Sequence, residues 1–258
     1  MKYIFVLLIM LSALQSSVLQ SPIFSINKEK NLVTIKVDKV DVGMSGFVVH
    51  NLDKEHSSIL KGAVVKSFSK GIATLELSKF NDLQNSALPH GKWSIKKGDT
   101  VVLAFGYSRA LLIAPNAEIY NKITKSTNHM QWLHPDIFAT ILSTNGHPTP
   151  LKEDFEKMSS TTYVGLVFIY LDGKVYTLDA KSFKVLNTLN ISLEQKNEEL
   201  PFYSRVEEID ASWFGEGSSE LEDYEPHYYE LLIEYNPNDK NIKKSYEKYK
   251  QKLEKIQG

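Results

Sequence analysis

Apolar and polar residues alternate with a period of two along the first part of the chain, which is the pattern of half-buried β-strands. Val33, Ile35 and Val37 alternate with polar neighbours. Segments 62–68 and 72–80 flank a short turn that contains Gly, and together they predict a hairpin. No helical pattern separates these strands, so the sequence predicts a small antiparallel β-barrel or sandwich.

The apolar period changes after Pro115 to that of amphipathic helices. Three helices are predicted, over 116–127, 134–146 and 151–158. Asn116 stands at the start of the first helix, where its side chain would cap the N-terminus. This switch of period predicts a second region in which helices and strands are mixed.

Strands are predicted again after the third helix. Residues 163–171 are nearly all apolar, as in a strand that is buried on both faces. Asp172 and Gly173 follow as a tight turn into 174–180, which predicts a hairpin. Residues 182–193 predict a further strand, so this region is expected to contain a hairpin sheet.

The last third of the chain separates by charge. Residues 206–235 contain ten acidic residues and no Lys or Arg, whereas 240–255 contain seven Lys and two Glu. The basic segment also carries a stripe at helical spacing, formed by Ile242, Tyr246, Tyr249, Leu253 and Ile256. Two heptads are short for a coiled coil, so a helix that docks onto the protein body is expected. The fold class predicted is α+β: a barrel or sandwich, an α+β region, and a C-terminal Lys-rich helix.

The N-terminus has the pattern of a secretory signal peptide. Lys2 precedes an apolar run over 4–14, and small or polar residues follow. A run of this length covers about half of a ~30 Å hydrocarbon core, so no permanent membrane span is expected. A retained anchor is the alternative. The protein is therefore expected to be exported, to the periplasm or the cell surface.

The domain organisation predicted from these patterns has three parts. Residues 1–20 form the signal peptide, and 21–215 form the main domain. Within that domain, 21–115 are β-rich and 116–215 are α+β. Residues 216–258 form an acidic linker followed by the basic amphipathic helix.

Composition excludes several classes of site. The sequence contains no Cys, which excludes disulfides, thiolate metal sites and lipid attachment through a thiol. The formal net charge of -1 provides no basic field for nucleic acid, which is not an expected partner. No pair among the seven His has the i, i+4 spacing of a helical zinc site, although a site assembled only by folding stays open.

No sequence motif indicates catalysis. The stretch 97–123 contains Asp99, Arg109, Pro115 and Asn116, but turn and capping roles account for these residues. The hydrolase motif G-x-S-x-G is absent, and GEGSSE at 215–220 lacks the features of a phosphate loop. We therefore predict no catalytic, cofactor-binding or metal-binding residue, no cofactor and no enzyme, although an enzyme stays open as a hypothesis without a motif.

Several segments resemble a known family in order and spacing. They are GFVV (46–49), KKGDTVVLAF (96–105), ALLIAPNAEIYNKI (110–123), VGLVFIY (164–170), SFKVL (182–186) and PFYSRVEEIDAS (201–212). Through these segments the chain resembles the N-terminal domain of bacterial plasminogen-binding proteins of the PgbA type. The resemblance covers roughly residues 30 to 215.

The resemblance implies an exported, non-enzymatic surface protein that interacts with host plasminogen as part of virulence. Kringle modules of plasminogen hold a lysine ammonium between carboxylates and aromatic rings. The resemblance also implies a long Lys/Glu-rich extension that ends in Lys, whereas the printed sequence ends at Gly258. The lysines expected to take this role are therefore internal ones: Lys248, Lys250, Lys252 and Lys255.

Two other interpretations stay open for the same features. The protein could be a periplasmic or envelope structural or assembly module that contacts bacterial envelope proteins and does not bind plasminogen. The lysines could also belong to a solvated helix that only caps the body, since runs of charge commonly serve solubility.

Overall fold

The computed structural model forms two compact units, one ending at Tyr107 and the other running from Ser108. It describes residues 18–53, 56–80, 93–127, 129–191, 193 and 195–257. Most of the predicted signal peptide, residues 1–17, lies outside the described residues. The β-rich unit ends at Tyr107 rather than at 115, because the strand after Tyr107 joins the sheet of the second unit.

The first unit is a closed barrel of six antiparallel strands, which decides between the predicted barrel and sandwich. The strand order is β1-β2-β5-β4-β3-β6. The strands are β1 (Leu19–Asn27), β2 (Leu32–Lys36), β3 (Ser45–Asn51), β4 (Ser57–Ser69), β5 (Ile72–Ser78) and β6 (Thr100–Leu103). The predicted hairpin is β4 and β5, and alternate residues such as Val33, Ile35, Val65 and Leu75 fill the interior.

The barrel closes where β3 and β6 approach each other at Gly46. Gly46 pairs with Leu103, and a Cβ atom added to Gly46 would lie 1.9 Å from the carbonyl oxygen of Val102. That separation is far inside van der Waals contact, and the obstructing atom belongs to the backbone. Only Gly is therefore compatible with this register of the two strands.

The second unit is built on a five-stranded mixed sheet of order β11-β10-β9-β7-β8. Its strands are β7 (Arg109–Ile113), β8 (Gln131–Leu133), β9 (Leu166–Leu171), β10 (Lys174–Asp179) and β11 (Val185–Asn190). β7 is parallel to both β8 and β9, while β9, β10 and β11 are antiparallel neighbours. The predicted hairpin turn at Asp172 and Gly173 is confirmed, with positive φ at both residues.

Five helices occur among the described residues of the second unit. They are α1 (Ala117–Lys125), α2 (Pro135–Asn145), α3 (Lys152–Thr162), α4 (Tyr224–Tyr235) and α5 (Lys240–Gln257). The first three were predicted, although α3 extends beyond the expected end at 158. The predicted cap of α1 is confirmed, since the Ile119 amide donates to Asn116 Oδ1 at 2.9 Å. The predicted fold class is therefore confirmed: a barrel, a mixed α+β unit and a Lys-rich C-terminal helix.

Helix α4 was not predicted, and it occupies part of the segment expected to be an acidic linker. Its inner face buries the rings of Tyr224, Tyr228 and Tyr229 completely. The hydroxyl of Tyr224 lies 3.2 Å from the carbonyl oxygen of Ile113 and 3.1 Å from that of Tyr170. The acidic residues that suggested a solvated segment lie mainly on the other side of this helix or before it.

No helix among the described residues combines the length and the apolar character that crossing a membrane requires.

We expect Gly46→Ala to destabilise the barrel by about 3 kcal/mol, because the added methyl group forces β3 away from β6. Urea unfolding followed by circular dichroism measures the effect. Gly62→Ala in β4 is the matched control, since its added Cβ would meet the movable Ser78 hydroxyl rather than backbone. Equal losses for the two variants would contradict the assigned β3–β6 register.

We expect Asn116→Ala to lower the free energy of unfolding by about 1 kcal/mol, because α1 loses its N-terminal acceptor. The variant also loses the bond from Asn116 Nδ2 to the carbonyl oxygen of Asn197, at 2.8 Å. Asn116→Asp keeps the cap acceptor and should recover part of the loss in the same thermal or urea measurement. An alanine variant as stable as the parent would contradict the capping role.

Candidate functional site

Helix α5, which carries the predicted partner-binding lysines, is fixed to the second unit by its apolar edge. Ile242 is fully buried. Tyr246 stacks on Tyr229 of α4 with ring centroids 5.1 Å apart, and Tyr249 lies 6.0 Å from the same ring. The spacing that predicted a docked amphipathic helix is thus confirmed at these residues. This docking leaves the side of α5 that carries the lysines exposed to solvent.

The four candidate lysines differ in their surroundings. Lys250 lies 2.7 Å from Glu247 of the same helix, and its ammonium is 4.7 Å from the centroid of the Tyr246 ring. Lys252 lies 2.9 Å from Asp172 at the β9–β10 turn. Lys248 and Lys255 are exposed, and neither forms an ion pair within the described part of the chain.

The helix also separates these lysines by direction. At about 100° per residue, Lys248, Lys252 and Lys255 share one arc of about 60°, and Lys250 points to the other side of the helix. A partner that approaches α5 from solvent would therefore meet Lys248 and Lys255 together. The other two lysines are held by carboxylates, so they are less available.

A cleft of about 680 Å³ lies beside α5 in the second unit. It lies at the carboxyl end of β9, where the β9–β10 turn contributes Asp172 and Gly173 to its wall. The cleft is lined by Tyr170, Asp172, Gly173, Leu193, Gln195, Glu198, Asp223, Glu225, Pro226, Tyr249, Lys252 and Leu253.

Electrostatics in this cleft centre on Glu225, in the first turn of α4. The residue is only 5% exposed. Burial and the nearby Glu198 carboxyl together raise the pKa of Glu225 to about 7, although a hydrogen bond from Gln195 opposes the rise. The carboxyl of Glu225 can therefore gain or lose a proton near neutral pH. Lys252 and Asp172 form the ion pair at the rim.

Residues of the stretch 97–123 have structural roles, as the sequence analysis expected. Asp99 is buried in the barrel unit, with Oδ1 2.7 Å from His50 Nδ1 and Oδ2 accepting the Lys96 amide at 2.8 Å. In the second unit, the carbonyl oxygen of Arg109 accepts the Gly165 amide, and that of Pro115 accepts the Glu199 amide. These bonds position strands and segments of the two units.

Several histidines lie beside carboxylates, whereas His227 Nε2 lies 3.0 Å from the carbonyl oxygen of Pro150. His147 Nδ1 lies 3.0 Å from Asp154 Oδ1, and His134 Nδ1 lies 3.1 Å from Asp136 Oδ1. Burial alone would raise the pKa of Asp136, but hydrogen bonds from the amide and the guanidinium of Arg205 lower it below its usual value. Within the described ranges, no group of three His, Asp or Glu side chains has a geometry that could hold a metal ion.

Sequence reasoning missed the cleft and the extreme exposure of two aromatic residues, Trp213 and Phe214. The cleft could not be predicted, because its walls come from segments that are far apart along the chain. In the sequence, Trp213 and Phe214 are recognisable only as part of an acidic segment. Their exposed fractions, 99% and 85%, become apparent only once the rest of the loop is placed.

Comparisons with known proteins agree with the family resemblance. The family model described as plasminogen-binding protein pgbA N-terminal matches residues 18–232. Two curated relatives are named plasminogen-binding protein PgbA, from Helicobacter pylori strains J99 and 26695, and are 29% and 28% identical to this chain over 234 residues. Each alignment covers 88% of this chain and 51% of the relative. The chain thus spans about half the length of these relatives. No solved structure matches it.

We expect stability to fall as pH rises from about 4.5 to about 7 because of Glu225. Between the two pKa values the carboxyl is ionised in the unfolded state but still protonated in the native state, so raising the pH favours the unfolded state. Glu225→Gln should remove this dependence. By pH 8 it should exceed the parent in free energy of unfolding by up to about 3 kcal/mol, at roughly 1.4 kcal/mol per pKa unit.

Urea unfolding at a series of pH values measures this difference. Glu222→Gln is the matched control, because it removes the same charge from an exposed carboxyl that precedes α4. Its difference from the parent should stay nearly constant with pH. Parallel pH curves for the parent and Glu225→Gln would contradict the assignment.

Proposed function

Because the chain belongs to the family of PgbA-type plasminogen-binding protein N-terminal domains, we propose that it is an exported, non-enzymatic protein that binds plasminogen through lysines of α5. The two relatives are named plasminogen-binding proteins, which supports plasminogen as the partner. The charged and apolar pattern of the N-terminal residues supports export, to the periplasm or the cell surface.

The observation that carries the proposal is the display of Lys248 and Lys255 on the outward side of a docked helix. Their ammonium groups are available to carboxylates and aromatic rings of a partner, which is the recognition expected of kringle modules. The helix holds its own apolar edge against Tyr229, so binding would not require α5 to leave the unit. Lys250 and Lys252 would contribute less, because binding must first break their internal ion pairs.

A second candidate function is a structural or assembly module of the cell envelope. It is favoured by the internal ion pairs of two of the four candidate lysines, which suit a helix that caps the body. The two candidates differ in their response to lysine analogues. Binding to an envelope partner through packed apolar surface would not be blocked by a soluble ammonium ligand.

We expect the chain from Val18 to Gly258 to bind immobilised plasminogen saturably in surface plasmon resonance, and 6-aminohexanoate to abolish the binding. Starting at Val18 keeps all of β1, whose residues Leu19 and Gln20 pair with β6. Lys248→Ala/Lys255→Ala should weaken the affinity by about tenfold, since each lost exposed charge contact costs up to about 1 kcal/mol. Raising NaCl from about 50 to about 500 mM should also weaken it, because salt screens exposed charges.

The matched control is Lys240→Ala/Lys243→Ala, which removes the same charge from exposed positions of the same helix. It should retain most of the affinity. Equal losses of affinity for the two double variants would indicate general charge attraction rather than a specific site. No binding, or binding that the analogue leaves unchanged, would reject the proposal in favour of the envelope module. Point variants are preferable to deletion of α5, which would uncover Tyr229.

A further inference from the structure

Trp213 and Phe214 form an exposed aromatic tip on the loop that leads to α4. Their exposed fractions are 99% and 85%. The loop around them is held in place: the Ser212 amide donates to the Gly146 carbonyl oxygen at 2.9 Å, and the Thr149 amide donates to Gly217 at 3.1 Å. Two large rings kept in water by an anchored loop are unfavourable for an isolated molecule, and such exposure marks interaction surfaces.

The segment of the chain that carries the tip is strongly acidic. Between residues 206 and 235 there is no Lys or Arg. Seven exposed acidic residues lie near the tip in sequence: Glu207, Glu208, Asp210, Glu216, Glu220, Glu222 and Asp223. A partner that covers the rings must therefore bring positive charge, and a membrane rich in anionic lipid would be repelled.

The complementary surface is present on the same chain. Helix α5 exposes six lysines: Lys240, Lys243, Lys244, Lys248, Lys252 and Lys255. Lysine stems can cover aromatic rings while their ammonium groups reach carboxylates, and an ammonium over an indole face adds cation–π attraction. Within one molecule, α5 packs on α4 and pairs with Asp172, and Trp213 stays exposed. The helix of the same copy thus leaves the tip uncovered.

We propose that the Trp213–Phe214 tip and the acidic residues beside it dock on the lysine face of α5 of a second copy of this chain. Two copies that exchange tips make the same contact twice and close as a two-fold dimer. The inference does not rest on plasminogen binding, but both contacts would use the lysine face of α5 and would therefore compete for Lys248 and Lys255. It assigns the tip a role that the lysine proposal leaves unexplained.

Sedimentation velocity of the chain from Val18 to Gly258 tests this docking. The parent should associate at about 50 mM NaCl and dissociate at about 500 mM, because the contact depends on exposed charges. Trp213→Ser/Phe214→Ser should raise the dissociation constant at least about tenfold. Val42→Ser/Ile137→Ser, which also removes two exposed apolar side chains, is the matched control and should associate as the parent does.

Mixing two defective variants gives the sharper test. Lys244→Glu/Lys248→Glu keeps the tip and loses the helix surface, whereas the tip variant keeps the helix surface. Each alone should be monomeric, and an equal mixture should form a heterodimer through its one intact contact. Circular dichroism checks that both variants are folded.

A parent that stays monomeric at low salt, or a tip variant that associates like the parent, would overturn the proposal. Vesicles of neutral phosphatidylcholine, with and without anionic lipid, test whether a lipid surface covers the tip instead. Tip-dependent binding to neutral vesicles by a protein that is monomeric in solution would assign the tip to a lipid surface instead.

Discussion

The second unit depends on the burial of the tyrosine face of α4. Tyr224 places its hydroxyl between the carbonyl oxygens at the ends of β7 and β9, and Tyr228 donates to the carbonyl oxygen of Pro201 at 2.9 Å. Buried aromatic rings supply much of the apolar stabilisation of a core, and the hydroxyls of Tyr224 and Tyr228 find acceptors there. Tyr229 then offers the ring on which α5 docks. This one face positions helix α5, the cleft and the segment around Pro201.

Local elements were predictable because their apolar periods and capping residues lie close together in sequence. The β4–β5 hairpin, the turn at Asp172 and the cap at Asn116 all follow from residues within a few positions of each other. Helix α4 was not predicted, because its acidic composition suggested a solvated segment. Its residues Tyr224, Tyr228, Leu231 and Tyr235 nevertheless follow one another at spacings of 4, 3 and 4. That spacing was present in the sequence and is typical of a buried helix face.

Long-range features were not predictable from one sequence. β6 and β7 are both short apolar strands separated by a few residues, and nothing local assigns the first to the barrel and the second to the mixed sheet. The pairing of Lys250 with Glu247 could be expected from helical spacing. The pairing of Lys252 with Asp172 could not, because the two are 80 residues apart. Only folding shows that two of the four candidate lysines are restrained.

The docked edge of α5 also sets how many partners the helix can hold. Lys248 and Lys255 are seven residues apart, which corresponds to about 10 Å along the axis. A folded module of even a hundred residues has a radius of gyration of about 13 Å. Two such modules cannot sit side by side on so short a span. If α5 binds a folded partner as proposed, Lys248 and Lys255 therefore leave room for only one module, and the complex would contain one partner macromolecule per chain.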